Sequence, residues 1–587
     1  MNEEFSFYDK QVIIKSKGHV SDEPSDIIDH PVFNEVVKRF IKKLKDKKSM
    51  VLNIFPDSMK EEEHDDKIID LLRKLAKKPK DQIINEFPYY EDFFKDIYLL
   101  NLFVEKLYNY WRDYERFFVV YSENSKKTPP HLKPYRTFND TVEKVNHFVR
   151  KVYRNICENI TEDHPRIYRQ TAAGCQVGII ATPENMDMMD KPYDKLKDFY
   201  TIKQILIEPP LIIDQLMNKR DGFFKEVDFN PLDKLELNKE KWLCYPAKVG
   251  HLVIRIYFHN KFIGLGTTLA NLFELAKEED LKRKPDAVYV FGVDEGVLEG
   301  EDKNPTIFYD DKKNNILVGA VPRDDNFGYF GYLKKMVLTL HNIVCMKKGM
   351  MPIHGAMVKI RLKQGKEANV VIVGDSGAGK SESLEAFRNL AKDYLSDMTI
   401  IFDDMGSLDF DKNGNVIAYG TEIGAFVRLD DLQPGFAFGN IDRSIIMSPQ
   451  KINARAVIPV TYLDEILKGY KVDYFLYANN YVDVKEGESF FEIYNNADDA
   501  IKIFREGART AKGTTTETGL VKTYFANPFG PMQFKEMHEK IAEKFFKALF
   551  KNKITVATIK TRLGIDGYEA TGPLTAAKAL FDVISKK

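Results

Sequence analysis

A glycine-rich stretch in the second half of the chain has the residue types that bind phosphate. It reads Gly-Asp-Ser-Gly-Ala-Gly-Lys-Ser and fits the P-loop pattern G-x-x-x-x-G-K-S/T. Glycines let the backbone aim N–H groups at phosphate oxygens, the Lys380 charge lies near the β- and γ-phosphates, and the Ser381 hydroxyl is a Mg²⁺ ligand. We therefore predict a nucleotide-phosphate site made of Gly374, Asp375, Ser376, Gly377, Ala378, Gly379, Lys380 and Ser381.

The elements around this loop are predicted in the order that a P-loop needs. Residues 370–373 are apolar and read as a buried strand, and residues 381–391 read as a helix whose positive end faces the phosphate. A second apolar strand is predicted over residues 399–404 and ends in Asp403 and Asp404. Carboxylates at a strand end beside a P-loop indicate a site for Mg²⁺ or Mn²⁺.

Further polar residues flank the loop in a definite order. Residues 329–335 read Tyr-Phe-Gly-Tyr-Leu-Lys-Lys, His354 precedes the P-loop strand, and residues 453–455 read Asn-Ala-Arg. Together with the P-loop and the Asp-Asp pair, this set resembles the phosphoenolpyruvate carboxykinases over residues 315–565. Each motif is common by itself, so the resemblance depends on their order and spacing.

The resemblance implies a reaction and two metal sites. This family converts oxaloacetate and a nucleoside triphosphate into phosphoenolpyruvate, the diphosphate and CO₂. The matching residues imply that Lys335, His354 and Asp404 bind Mn²⁺, while Asp403 and Ser381 hold the Mg²⁺ that accompanies the nucleotide. Because an amine binds a metal only when neutral, the pKa of Lys335 is expected to be strongly lowered.

The resemblance also implies roles in binding the substrate and the nucleotide. Arg455 would contact the γ-phosphate or the substrate carboxylate, Tyr329 would line the CO₂ and enolate side, and Lys334 would join the catalytic residues. Arg169 is the candidate for a substrate-carboxylate arginine in the first lobe. Arg562 lies in a segment that loosely resembles the adenine loop, and ATP is the favoured phosphoryl donor.

A threonine- and glycine-rich run over residues 511–519 resembles the mobile lid of the family, and residues 525–529 resemble the strand behind it. Such a polar segment buries little surface and is expected to close only over bound substrates. The predicted lid residues are Lys512, Thr514, Glu517 and Gly519.

Some positions depart from the family pattern and leave the donor and the acceptor open. Asp375 places a carboxylate in the P-loop, Met405 follows the acidic pair where the adenosine-type enzymes have Glu, and no guanine-clamping aromatic segment is apparent. The alternatives are a pyrophosphate-dependent carboxykinase, and a kinase on the same scaffold that acts on another small molecule or on a protein. A non-catalytic nucleotide sensor is a further alternative.

Composition excludes several classes of partner. The formal net charge of −1 argues against a nucleic-acid binder, and no apolar run reaches the roughly 18 residues of a membrane span. The first residues are polar, which predicts no signal peptide, and the four cysteines form no C-x-x-C pair. These features predict a cytoplasmic protein with small-molecule partners and no membrane contact.

Three regions are predicted along the 587 residues. Residues 1–160 are expected to be helical, because apolar residues recur at helical spacing, and the aromatic residues of this region are expected to pack a core. Residues 161–345, with apolar strand-like runs, are expected to form a substrate lobe, and residues 346–587 a P-loop lobe that binds nucleotide and metal. We therefore expect an α/β chain with a two-lobed carboxykinase-like fold and mixed β-sheets, preceded by a helical region.

Overall fold

The computed structural model describes residues 5–16, 23–121, 134–163, 172–184, 191–220, 223–294, 298, 306–429, 440–511 and 519–586. The chain divides into two compact units. The first contains residues 1–184 and 200–211, and the second contains residues 185–199 and 212–587. Helices and mixed sheets make the chain α/β, as expected. The predicted division after residue 345 lies inside the second unit, so the two lobes stay a prediction.

The first unit combines helices with five strands of one sheet. The strands, in sheet order, are β1 (Phe5–Tyr8), β2 (Gln11–Ser16), β3 (Glu115–Tyr121), β4 (Val177–Pro183) and β5 (Tyr200–Ile207). Strands β2, β3 and β4 run parallel, whereas β1–β2 and β4–β5 are antiparallel pairs. The helices are α1 (Pro24–Asp29), α2 (Pro31–Asp46), α3 (His64–Leu75), α4 (Lys80–Glu86), α5 (Ile97–Arg112) and α6 (Pro134–Thr161).

The prediction that residues 1–160 are helical was incomplete. Helices α2 and α3 lie where the apolar spacing placed them, but β1, β2 and β3 also fall in this region. All seven residues of β3 are buried. A strand buried on both faces lacks the alternation that distinguishes a strand from a buried helix, and for that reason it was missed.

The second unit contains two large sheets, a small sheet and a hairpin among its described residues. The first sheet, in order, is β10 (Glu274–Leu275), β8 (Trp242–Val249), β9 (Leu252–His259), β11 (Ala287–Val293), β13 (Ile316–Pro322), β12 (Ile307–Asp311) and β7 (Lys225–Val227). The second is β21 (Tyr470–Lys471), β17 (Val416–Gly420), β16 (Leu395–Phe410), β14 (Met351–Leu362), β15 (Glu367–Val373), β22 (Tyr474–Asn479), β26 (Thr555–Lys560) and β23 (Phe491–Ile493).

The small sheet and the hairpin complete the strands of this unit. The small sheet contains β18 (Gly424–Arg428), β20 (Arg455–Pro459) and β19 (Ile445–Met447), and the hairpin pairs β24 (Ala508–Ala511) with β25 (Gly519–Lys522). Strand β6 (Leu211–Ile213) begins at the last residue of the first unit. The helices are α7 (Ile263–Thr268), α8 (Glu278–Leu281), α9 (Phe330–Lys347), α10 (Lys380–Asn389), α11 (Ala391–Tyr394), α12 (Leu463–Leu467), α13 (Ala497–Glu506), α14 (Lys535–Lys551) and α15 (Thr571–Lys586).

The second sheet brings several chain segments together at one edge. Strands β15, β22 and β26 are parallel neighbours, so their carboxyl ends meet at the same edge. The P-loop follows β15 there, Asn480 follows β22, and Thr561 follows β26. Strand β14 pairs antiparallel with β15, and β16 pairs antiparallel with β14; these two strands place His354 and Asp404 at this edge.

A matched pair of substitutions on α5 tests which aromatic residues form the core of the first unit. Phe103 is fully buried and its ring meets Phe40 edge-on at 5.3 Å, whereas Tyr98 is 77 % exposed. We expect Phe103→Ala to lower the free energy of unfolding by about 3–5 kcal/mol. Tyr98→Ala should change it by less than about 0.5 kcal/mol. Urea unfolding of the full chain measures both, and equal losses would contradict this assignment of the core.

Candidate active site

The predicted P-loop has the strand, turn and helix that its sequence requires. Strand β15 ends at Val373, and α10 begins at Lys380. Gly379 caps the helix with φ +103°, and a β-carbon there would lie 2.9 Å from the Thr561 hydroxyl oxygen. Only glycine tolerates both the backbone angle and the close neighbour. The positive end of a ten-residue helix therefore faces the loop.

The Lys380 amine points into a cluster of ionisable groups. Its Nζ lies 3.2 Å from His354 Nε2 and donates to the Asp375 carbonyl at 3.3 Å. Both Lys380 and His354 are buried. The lysine that the sequence assigns to phosphate and the histidine that it assigns to a metal thus meet at one point.

Asp404 is the centre of this cluster. Lys334 Nζ donates to Asp404 Oδ2 at 2.6 Å, and His354 Nε2 lies 2.8 Å from Asp404 Oδ1. Burial acts to raise the pKa of Asp404, but the Lys334 charge and the His354 contact outweigh it and hold the pKa well below its usual range. Asp404 is therefore ionised. Burial acts to lower the pKa of Lys334, but the Asp404 charge raises it, so Lys334 is charged.

A second carboxylate shares Lys334. Glu422 is fully buried and lies 3.2 Å from Lys334 Nζ, while Glu422 Oε2 has no hydrogen-bond partner among the described residues. Burial raises the pKa of Glu422 to about 8, and the charge of Asp404 contributes in the same direction. At neutral pH one lysine thus neutralises Asp404, and Glu422 is mainly protonated.

The orientation of the His354 ring is set by a strained turn. His354 Nδ1 donates to the Ala526 carbonyl at 2.7 Å, which leaves Nε2 facing Asp404 and Lys380. Phe525, Ala526 and Asn527 have φ values of 48°, 60° and 57°. The expected strand over residues 525–529 is therefore wrong, since these residues form a left-handed turn. Such strain persists only where surrounding contacts enforce it, and it directs a carbonyl at the imidazole.

The carboxylates lie inside a strand and not at its end. Strand β16 continues to Phe410, so the predicted strand over residues 399–404 was too short. Long pairing with β14 explains this, because Gly355 is opposite Asp404 and pairing extends beyond it to Met351. Asp404 itself has φ +127°, an angle that is uncommon for a residue with a side chain.

The residues at this edge have the donor chemistry of a cation site. A histidine whose Nδ1 is bound to a carbonyl presents Nε2 as a ligand, here toward the ionised Asp404. Beside it, the Ser381 hydroxyl donates to Asp403 Oδ1 at 2.9 Å. Within the described ranges, no group of three or more His, Cys, Asp or Glu side chains is arranged as a metal site. The pairs fit a cation that takes its remaining ligands from substrate and water.

Lys335 lies near this cluster but does not contact Asp404 as Lys334 does. Burial lowers the pKa of Lys335 to about 8, and the Arg220 charge adds to this effect. The expectation of a lowered pKa is thus confirmed in direction, and its Nζ lies 5.1 Å from the centre of the Phe529 ring. Phe529 and Arg220 line a cavity of about 40 Å³.

Three of the predicted residues lie around one aromatic ring. The Phe426 ring lies 5.3 Å from the Arg455 guanidinium, 5.6 Å from Lys334 Nζ and 6.3 Å from the Tyr329 ring centre. Arg455 Nε is buried and has no hydrogen-bond partner in the described part of the chain. The Tyr329 ring covers Gly331, where a β-carbon would collide with it, so the glycine in Tyr-Phe-Gly permits this packing.

Arg562 is held by one acidic and one aromatic neighbour. Its guanidinium ion-pairs with Asp483 at 2.7 Å and stacks on the Tyr568 ring at 3.3 Å. Its neighbour Thr561 donates to the Ala378 carbonyl of the P-loop at 3.2 Å. Arg562 therefore lies next to a residue that contacts the loop, and its nucleotide role stays a prediction.

Several predicted residues fall outside the described ranges. These are the substrate candidate Arg169 and the lid residues Lys512, Thr514 and Glu517. The remaining lid residue, Gly519, begins β25.

The structure adds residues that the sequence analysis did not select. Asn480 donates to the Gly377 carbonyl at 3.0 Å, and Arg509 and Thr523 contact Asp375. Phe426 and Arg220 join them, as described above. Their positions in the sequence gave little signal, because each lies far along the chain from its partner; only strand ends such as Asn480 were open to prediction from topology.

A scan against models of known protein families found no match, and a search of curated proteins found none either. Among the described residues, no helix combines the length and the apolar character that crossing a membrane requires.

The Asp403 carboxyl group provides a pH-dependent test of the site. Burial raises its pKa to about 6, above the 3.8 of a free carboxyl group, so the folded protein holds this proton more tightly than the unfolded chain. Below about pH 4, Asp403 is protonated in both the folded and the unfolded state, and its burial costs no stability from charge. As the pH rises from about 4 through about 6, the unfolded chain loses this proton more readily than the folded protein, so the free energy of unfolding falls. Asp403→Asn should therefore stabilise the metal-free protein by on the order of 3 kcal/mol at pH 7.

Urea unfolding in the presence of a chelator measures this difference at several pH values. The two proteins should converge near pH 4, because Asp403 is then neutral in both the folded and the unfolded state. A difference that stays constant between pH 4 and pH 7 would contradict an ionised Asp403 buried at this site.

Proposed function

We propose that this protein is a phosphoenolpyruvate carboxykinase-like enzyme that decarboxylates oxaloacetate and phosphorylates the resulting enolate. The observation that carries the proposal is the convergence of Lys380, His354 and Asp404 within hydrogen-bonding distances. A P-loop alone is compatible with many nucleotide-binding proteins. A P-loop lysine in contact with a histidine–carboxylate pair joins phosphate binding to a cation site, and this reaction needs both.

The P-loop and α10 would bind the phosphoryl donor. The Lys380 charge, loop N–H groups and the helix N-terminus oppose the negative charge that spreads over the transferring phosphoryl group. Ser381 and Asp403, which already share a hydrogen bond, would hold the Mg²⁺ of the donor. ATP is the favoured donor, and Arg562 is the candidate for contact with its base.

His354 and Asp404 would hold Mn²⁺, with Lys335 as the third candidate ligand. A bound divalent cation supplies positive charge for the enolate oxygen and the γ-phosphate. The chain prepares this position by binding His354 Nδ1 to the Ala526 carbonyl and by keeping Asp404 ionised through Lys334. Because the pKa of Lys335 is about 8, part of the protein carries a neutral Lys335 amine near physiological pH.

The substrate would bind beside Lys335. Carboxylates such as oxaloacetate need fixed positive charge, which Arg220 supplies at the cavity that Phe529 lines. Arg455 and Tyr329, which both lie beside the Phe426 ring, are the other candidates for contact with the substrate. On loss of CO₂ the substrate becomes an enolate, whose oxygen attacks the γ-phosphorus while the diphosphate leaves. Buried cations from the protein stabilise both anions.

A product assay tests the proposal and separates it from the alternatives. Purified protein is incubated with oxaloacetate, Mn²⁺ and Mg²⁺, and ATP, GTP or pyrophosphate is offered in turn. Phosphoenolpyruvate formation with any donor supports the carboxykinase, and the donor that works distinguishes the ATP-dependent from the pyrophosphate-dependent form. Donor binding without phosphoenolpyruvate in any arm would instead indicate a kinase for another acceptor or a nucleotide sensor, and would overturn the proposal.

Replacing the P-loop lysine should stop phosphoryl transfer while the protein stays folded. We expect Lys380→Ala to lower turnover on the order of 100-fold or more, because a preorganised charge at the transferring group is lost. Lys359→Ala is the matched control, since Lys359 lies on β14 and pairs with Glu367 of β15, outside the site. Steady-state assays and circular dichroism measure both variants. Near-normal turnover of folded Lys380→Ala would remove Lys380 from the site.

A further inference from the structure

The P-loop contains a negative charge that a phosphate-binding loop does not need. Asp375 is the second residue of the loop, and its carboxylate is 5 % exposed. A buried anion at this position repels a phosphate ligand and costs folding free energy unless a cation compensates it. The structure therefore has to supply a partner for Asp375.

Arg509 is that partner. Its Nε donates to Asp375 Oδ2 at 3.2 Å, and Arg509 is itself only 7 % exposed. The same oxygen accepts from the Thr523 hydroxyl at 2.9 Å, and Oδ1 accepts from the Ser376 N–H at 2.7 Å. Burial acts to raise the pKa of Asp375, but His354 and Arg509 outweigh it and the pKa is lowered. The pair is thus ionised at neutral pH.

The pair also joins the P-loop to the β24–β25 hairpin. Arg509 lies on β24, and Thr523 follows β25 directly. Asn480 makes a second connection, because its side chain donates to the carbonyls of Gly377 and Thr510, each at 3.0 Å. The backbone of the loop is therefore held by two buried polar contacts at positions 375 and 377.

We propose that Arg509 is a positioning residue that allows the loop to bind polyphosphate by neutralising Asp375. Arg509 acts on the ligand through Asp375 and not by direct contact. Without the arginine, the Asp375 carboxylate loses its hydrogen-bonded cation and presents a less compensated negative charge to an anionic ligand. The proposal rests on the phosphate site of the proposed function. It adds a residue outside the P-loop motif, Arg509, on which phosphate binding depends.

A double-mutant cycle tests this assignment, with binding of inorganic pyrophosphate plus Mg²⁺ as the readout in titration calorimetry. Arg509→Gln should weaken binding on the order of 100-fold, because a buried charge loses its partner beside the ligand. Arg509→Gln combined with Asp375→Asn should recover binding to within about tenfold of wild type, since neither position 375 nor position 509 then carries a charge. Asp375→Asn alone should bind at least as tightly as wild type.

Arg505→Gln is the matched control, because Arg505 pairs with Glu539 at 2.8 Å, four residues before Arg509 and outside the loop. It should leave binding unchanged. Thermal unfolding identifies an Arg509→Gln protein that does not fold, and the double variant, which leaves no unpaired charge, then decides the question.

Binding by the double variant as weak as that of Arg509→Gln would overturn the proposal, because Arg509 would then act on the ligand directly. Weakened binding by Asp375→Asn alone would overturn it too, because the carboxylate would then favour binding and need no neutralisation. Four equal affinities would overturn it as well. A wild-type protein that does not bind pyrophosphate would overturn the phosphate site itself. That outcome differs from a wild type that binds while the cycle shows no coupling, which leaves the proposed function intact.

Discussion

The arrangement of charges beside the P-loop depends on the half-buried, ionised Asp404. A carboxylate taken out of water is costly unless cations and hydrogen bonds compensate it, and breaking such a pair leaves a buried charge. Lys334 and His354 provide this compensation from α9 and β14, at 2.6 and 2.8 Å. The chain thus builds a small region in which several charges lie within hydrogen-bonding distance, and such regions are typical of sites that bind ions or stabilise charge in a reaction.

The fold explains how residues that are distant in sequence reach this region. Parallel strands β15, β22 and β26 end at one sheet edge, and the antiparallel strands β14 and β16 pass His354 and Asp404 beside them. The left-handed turn after β25 contributes a carbonyl to His354 from residue 526. His354 and Asp404 are thereby fixed by a sheet, and the Ala526 carbonyl by a strained turn, so these groups lie on rigid supports. Preorganisation of this kind lets fixed charges act without reorganising during a reaction.

Local patterns were sufficient to predict the elements next to the glycine-rich loop but not the contacts between distant segments. The strand and the helix that flank the glycine-rich loop were predictable because glycine spacing and apolar runs encode them within a few residues. The end of β16 was missed because its partner β14 extends it, and the left-handed turn was missed because tertiary contacts enforce its angles. The Asp375–Arg509 pair spans 134 residues of sequence and has no local signature.

The central claim is that His354 and Asp404 form a cation site next to the P-loop. Anomalous diffraction from crystals grown with Mn²⁺ and ATP, recorded on both sides of the manganese absorption edge, tests it most directly. The account predicts a manganese peak within about 2.0–2.4 Å of His354 Nε2 and of an Asp404 oxygen. A fully occupied manganese peak elsewhere, with the His354–Asp404 contact unchanged at 2.8 Å, would contradict it.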